Sequence, residues 1–116
     1  MSLWKWNDVE LEIDLEDVDF QERYENAFDN MAAEEEKLKK VGKYSELTRA
    51  YCEMFEHLFD NIFGEGTSIK LFNGKKNIRV TDECYDSFIS VCKKDAAAAT
   101  KRKASMYAKY KIKARK

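Results

Sequence analysis

Leu47-Thr48-Arg49-Ala50-Tyr51-Cys52-Glu53-Met54-Phe55-Glu56-His57-Leu58-Phe59-Asp60-Asn61-Ile62-Phe63-Gly64-Glu65-Gly66 is the stretch whose reading decides the fold. Leu47, Tyr51, Met54, Phe55, Leu58, Ile62 and Phe63 recur three and four residues apart, which gathers them on one face of an α-helix. Gly64-Glu65-Gly66 then stops it, because glycine takes backbone angles that other residues resist. Ser45 is the expected cap of this helix and Phe63 its last residue. The short segment Thr67-Ser68-Ile69-Lys70-Leu71-Phe72 follows, with Thr67 or Ser68 as its cap and Asn73-Gly74 as its close.

Working outward toward the N-terminus, Trp4 and Trp6, then Val9, Leu11, Ile13 and Leu15, alternate with polar residues. That is the two-residue period of half-buried strands, and Asn7-Asp8 between the runs makes a turn, so a β-hairpin over about residues 3–15 is expected. A lone hairpin is marginal in water, so it must pack on helices or lend its edge to another chain, a route to self-association. Asp19 with Glu22 three residues on has the form of a capping box. A helical stripe of Phe20, Tyr24, Ala27, Phe28, Met31, Leu38 and Val41 follows it, ending at Gly42.

Toward the C-terminus, Ile78-Arg79-Val80 reads as extended chain, and Thr81 followed by Asp82 and Glu83 as the start of a last helix. Its stripe is Tyr85, Phe88, Ile89, Cys92, Ala96 and Ala99, and beyond it the apolar residues thin to Met106, Tyr107 and Tyr110. The expectation is a mainly α fold. An N-terminal β-hairpin precedes three longer helices and one short one, and the last helix continues as a basic extension.

Composition agrees. At 116 residues, 44% hydrophobic with no proline, the chain can build one small core, burying roughly 65% of its unfolded surface. It holds no run of about 18 apolar residues, so no membrane association is expected. Early acidic residues at Asp8, Glu10, Glu12 and Asp14 do not form a secretory signal. Three cysteines without paired spacing fit a reducing cytoplasm and small core residues. Cys84 and Cys92 would lie about 12 Å apart along one helix, too far for a disulfide.

The net charge of −1 hides a polarity: residues 93–116 carry ten Lys or Arg against Asp95 alone, or +9, which leaves −10 for residues 1–92. Two parts are therefore expected, an acidic helical domain over 1–92 and a basic extension or tail over 93–116. Lys101, Arg102, Lys103, Lys109, Lys111 and Lys113, with Tyr107 and Tyr110 between, could neutralise phosphates and stack on bases. The body's charge opposes nucleic acid, so an acidic protein partner is preferred.

Chemistry is sparse. His57, with Asp60 three residues on, could form an oriented base, yet no nucleophile can be placed beside it. Cys52, His57, Cys84 and Cys92 are zinc ligand types without zinc spacing, and Gly64-Glu65-Gly66-Thr67 follows a helix rather than the strand a phosphate loop requires. No catalytic, metal or cofactor site is expected. The aromatic row Phe55, Phe59 and Phe63 lies beside a second row, Met54, Leu58 and Ile62. A small domain has trouble covering both, which leaves Phe59, Phe63 and Phe72 as candidate partner anchors together with Lys101, Arg102 and Lys103.

The string Phe59-Asp60-Asn61-Ile62-Phe63-Gly64-Glu65-Gly66-Thr67, continued by Leu71-Phe72-Asn73-Gly74-Lys75-Lys76-Asn77, resembles the small tail assembly chaperones of long-tailed phages and prophages of Gram-positive hosts. The acidic alternation Val9-Glu10-Leu11-Glu12-Ile13-Asp14 is similar too, and the likeness covers about residues 6–92. Asn73, where glycine is the pattern, and the basic extension depart from it. The resemblance implies a non-enzymatic protein of the host cytoplasm. It would hold the tape-measure protein and recruit tail-tube subunits, and such proteins are often made with a longer frameshifted form. The competing expectations are a small nucleic-acid-binding protein acting through the extension, or a structural subunit forming a defined ring.

Overall fold

The computed structural model describes residues 1–40 and 42–110, so Val41 and the expected extension residues 111–116, Lys111 and Lys113 among them, lie outside the described residues. The chain is mainly α. A two-stranded antiparallel hairpin, β1 (Ser2–Trp6) and β2 (Val9–Ile13), precedes α1 (Val18–Leu38), α2 (Tyr44–Phe63), the short α3 (Thr67–Phe72) and α4 (Ile78–Tyr110).

The hairpin forms where the alternation placed it. Trp4 pairs with Leu11 and Trp6 with Val9, and Asn7 and Asp8 both take positive φ, 47° and 62°, the backbone of a two-residue turn matched to strand twist. The side-chain amide of Asn7 donates to the Leu71 carbonyl and fixes the turn against α3. Period two sends Trp4 and Ile13 inward, where both are fully buried.

Helix boundaries depart from the expected caps by a residue or more. Asp17, not Asp19, caps α1, its carboxylate accepting from the Phe20 amide at 3.0 Å. The helix ends at Leu38, short of Gly42. Lys43 stands at the start of α2 without a side-chain bond, so Ser45 is already helical. Gly66, left-handed at φ 92°, precedes α3, and the Thr67 hydroxyl turns back to the Gly64 carbonyl at 2.7 Å. Ile78, Arg79 and Val80 are the first turn of α4 rather than extended chain, because Asn77 Oδ1 accepts from the Val80 amide at 3.1 Å and caps the helix. Thr81 is thereby moved inside, buried, with its hydroxyl 3.5 Å from Cys52 Sγ.

Helix α2 lies at the centre. Its C-terminal carbonyls find partners: Arg23 of α1 donates to the Ile62 carbonyl at 2.9 Å, and Gly64 N–H donates to Asp60 O. Asp60 then reaches across the glycine stop and accepts from both the amide and the hydroxyl of Ser68, tying α3 to α2. The helix α1 packs along one side of α2, while the hairpin lies on α4, and Trp4 brings the layers together. Its ring stacks 5.3 Å from Phe59 and sits 5.2 Å from Phe88, and Phe63 closes the group at 5.9 Å.

The expected exposed row does not exist, because the hairpin and α1 supply the extra cover. Phe55, Phe59, Met54, Leu58 and Ile62 are all buried and Phe63 is half-buried; exposure is confined to the start of α2, at Tyr44 and Leu47. All three cysteines are free and buried.

No break divides the chain at residue 92. The helix α4 runs through it, and Asp95 is 3% exposed, so the packed body reaches beyond the expected boundary. The 33 residues of α4 span about 50 Å at 1.5 Å each and set the longest dimension of the molecule, 57 Å.

Candidate interaction surface

The residue types that suggested chemistry are kept apart. His57 Nδ1 lies 2.6 Å from Glu34 of α1 at an exposed position, not on Asp60, whose carboxylate is taken by Ser68. That carboxylate occupies the N-terminus of α3, where a phosphate loop would place its anion. The cysteines are buried and apart, and burial pushes the Cys84 thiol up to about 12; burial, then the charge of Asp95, does the same to Cys92. Among the described residues no three His, Cys, Asp or Glu side chains gather as metal ligands.

Of the candidate anchors, Phe59 is fully buried against Trp4 and Phe88, and Phe72 is buried 6.1 Å from Phe59. Both are core residues, and Phe63, held by Trp4, Phe20 and Phe88, presents only part of its ring. The cations behave differently. Lys101, Arg102 and Lys103 are exposed on α4, and Arg102 reaches back to Glu16 at 3.1 Å, an exposed pair that adds little stability.

Beyond the apolar packing of Phe88, α4 is tied to the hairpin by Asp95, which the charge count reads only as an exception in a basic tail. Its carboxylate accepts from the Ser2 hydroxyl at 2.7 Å and from the Leu15 amide at 2.8 Å, and it lies 3.3 Å from the amino group of Met1. Burial alone would raise its pKa, but these donors outweigh it and hold the carboxyl below its ordinary value. Asp95 thus staples both ends of the hairpin to α4.

Two apolar grooves flank the helices. One, about 500 Å³, runs between α4 and the hairpin–α1 junction, where Leu15, Ala96 and Ala99 meet Lys103, Met106 and Tyr107. Met106 at its mouth and Tyr110 beyond it stand 46% and 61% exposed, one helical turn apart. The other, about 540 Å³, lies between α1, α2 and the first half of α4, with Met54 and Phe55 as floor and Met31, Leu38, Tyr51 and Tyr85 as walls. The apolar periodicity placed these residues on their helices, but which faces meet is fixed by tertiary packing, so the grooves leave no sequence signal. No helix among the described residues is long and apolar enough to cross a membrane.

A family model described as a family of unknown function, DUF6673, matches residues 7–116. No curated protein matches the chain, and no solved structure does.

Proposed function

This chain belongs to the family of unknown function DUF6673, and from its own surface and the resemblance of residues 59–77 we propose that it is a non-enzymatic holding protein, a tail assembly chaperone for tape-measure or tail-tube proteins. The observation that carries the reading is the outer part of α4. It projects past the packed body with Met106, Tyr107 and Tyr110 among Lys101, Lys103 and Lys109, beside a partly apolar groove. Apolar contact area with charge around it suits a reversible interface, where a few aromatic anchors supply affinity and cations steer an acidic partner. The resemblance of residues 59–77 supplies the choice of partner, and the chaperone works in the host cytoplasm.

Compared with the sequence-level expectation, the anchors move from Phe59 and Phe72, which are core, to Met106, Tyr107 and Tyr110. The cations Lys101, Arg102 and Lys103 keep their place. The test is co-expression of the full chain with the tape-measure and tail-tube proteins of the same genome, followed by affinity capture. Wild type should retain a tail protein, and a Met106→Asp, Tyr110→Asp variant with unchanged helical circular dichroism should lose it. Capture of duplex DNA at low salt, with no tail protein retained, would replace this reading by nucleic-acid binding through the same cations.

A further inference from the structure

The groove between α1, α2 and α4 is apolar inside and acidic around. Glu35 lines it, and Asp82 and Asp86 flank Tyr85 on α4, three residues before and one after. The reach of these charges is visible at the Tyr51 hydroxyl. Its pKa is raised first by burial and then by Asp82, Asp86, Cys52 and Glu35. Lys39 also lines the groove, but it is paired with Glu36 at 3.3 Å. The outer part of α4 has the complementary character: Met106 and Tyr110 on one face, with Lys101, Lys103 and Lys109 around them, and Lys109 Nζ 5.4 Å from the Tyr110 ring.

We propose that copies of this chain associate head to tail, residues 101–110 of α4 from one copy lying in the acid-rimmed groove of the next.

A chain cannot make this contact with itself. Tyr85 and Met106 belong to the same unbroken helix, and 21 residues at 1.5 Å rise put them about 32 Å apart along its axis. Folding the extension back would break α4 and release the backbone bonds between. Occupancy by a second copy is also what the charge distribution favours, since like ends repel and unlike ends attract. The contact is heterologous, so it grows into open chains unless its rotation closes a ring, or unless two copies exchange extensions. It stands whether or not a tail protein is the other partner.

The test uses the full-length protein without other components, by light scattering and sedimentation equilibrium up to about 100 μM, the range of a contact this small. Wild type should show a mass rising with concentration above 13.6 kDa, less so in high salt. Glu35→Lys spoils the groove and Met106→Asp the extension; each should weaken association about tenfold or more, both positions being exposed enough to leave the fold intact. Mixing the two variants decides the geometry, because Met106→Asp keeps a sound groove and Glu35→Lys a sound extension. The mixture should form a 1:1 complex that grows no further. A wild type monomeric throughout, variants that associate as well as wild type, or a mixture that stays monomeric would each overturn the proposal.

Discussion

Asp95 shows how one residue can hold an element in place. Its two oxygens take the Ser2 hydroxyl and the Leu15 amide, groups at opposite ends of the hairpin. Asp95→Asn keeps the shape but weakens charge-assisted bonds in a buried site, so stability at neutral pH should fall by about 2 kcal/mol in urea unfolding. The pH dependence follows from the sign of the shift. The native carboxyl titrates below its ordinary value of 3.8, so the unfolded chain binds the proton first on acidification. Its contribution is therefore full above the ordinary value and lost as pH falls through the depressed one. The Asn variant should lack that part of the acid destabilisation. The cysteines give a second check. With the thiols of Cys84 and Cys92 pushed up to about 12, the native protein should resist thiol reagents at pH 8 and react fully only in denaturant. The cysteines' burial was legible from their lack of paired spacing. The role of Asp95 was not, since nothing local in Lys93-Lys94-Asp95 tells that Ser2 and Leu15 will lie against it.

Elements were legible wherever a period ran long. The hairpin and the second helix are legible in the apolar spacing and the helix's stop in Gly64 and Gly66, and their order holds in the structure. Starts were less legible, because several residues near each start can cap and packing chooses among them: Asp17 over Asp19, Asn77 over Thr81. The turn and the stop make predictions at this scale. Asp8 holds φ 62°, an angle glycine takes without strain, while Asn7 already serves the Leu71 carbonyl. Asp8→Gly should stabilise the protein by about 0.5 kcal/mol, read as a higher midpoint of thermal unfolding. Gly64 sits at φ 117°, ψ 152°, a region almost confined to glycine, with open space where an added methyl would stand. Gly64→Ala should thus cost about 1–3 kcal/mol in urea unfolding from backbone strain alone.

At the scale of the whole molecule, the charge polarity of the sequence becomes geometry: an acidic body from which one long helix carries cations outward. The number of helices and the basic extension were legible. The boundary at residue 92 was not, because a count of charges cannot see that Asp95 anchors the hairpin, and the packed body extends past it. Removing residues 101–116 should therefore leave the thermal midpoint nearly unchanged. Removing 93–116 takes away Asp95 and should lower the midpoint by about 10 °C.

Hydrogen exchange of the full chain, alone and mixed with the tape-measure protein of its own genome, tests the holding surface most directly. The account predicts that, at concentrations low enough to keep the free chain monomeric, amides of α4 beyond Ala99 exchange quickly in the free chain and slow markedly in the mixture, with the core around Phe59 and Phe88 unaltered. Protection confined to the hairpin edge, or no change anywhere, would contradict it.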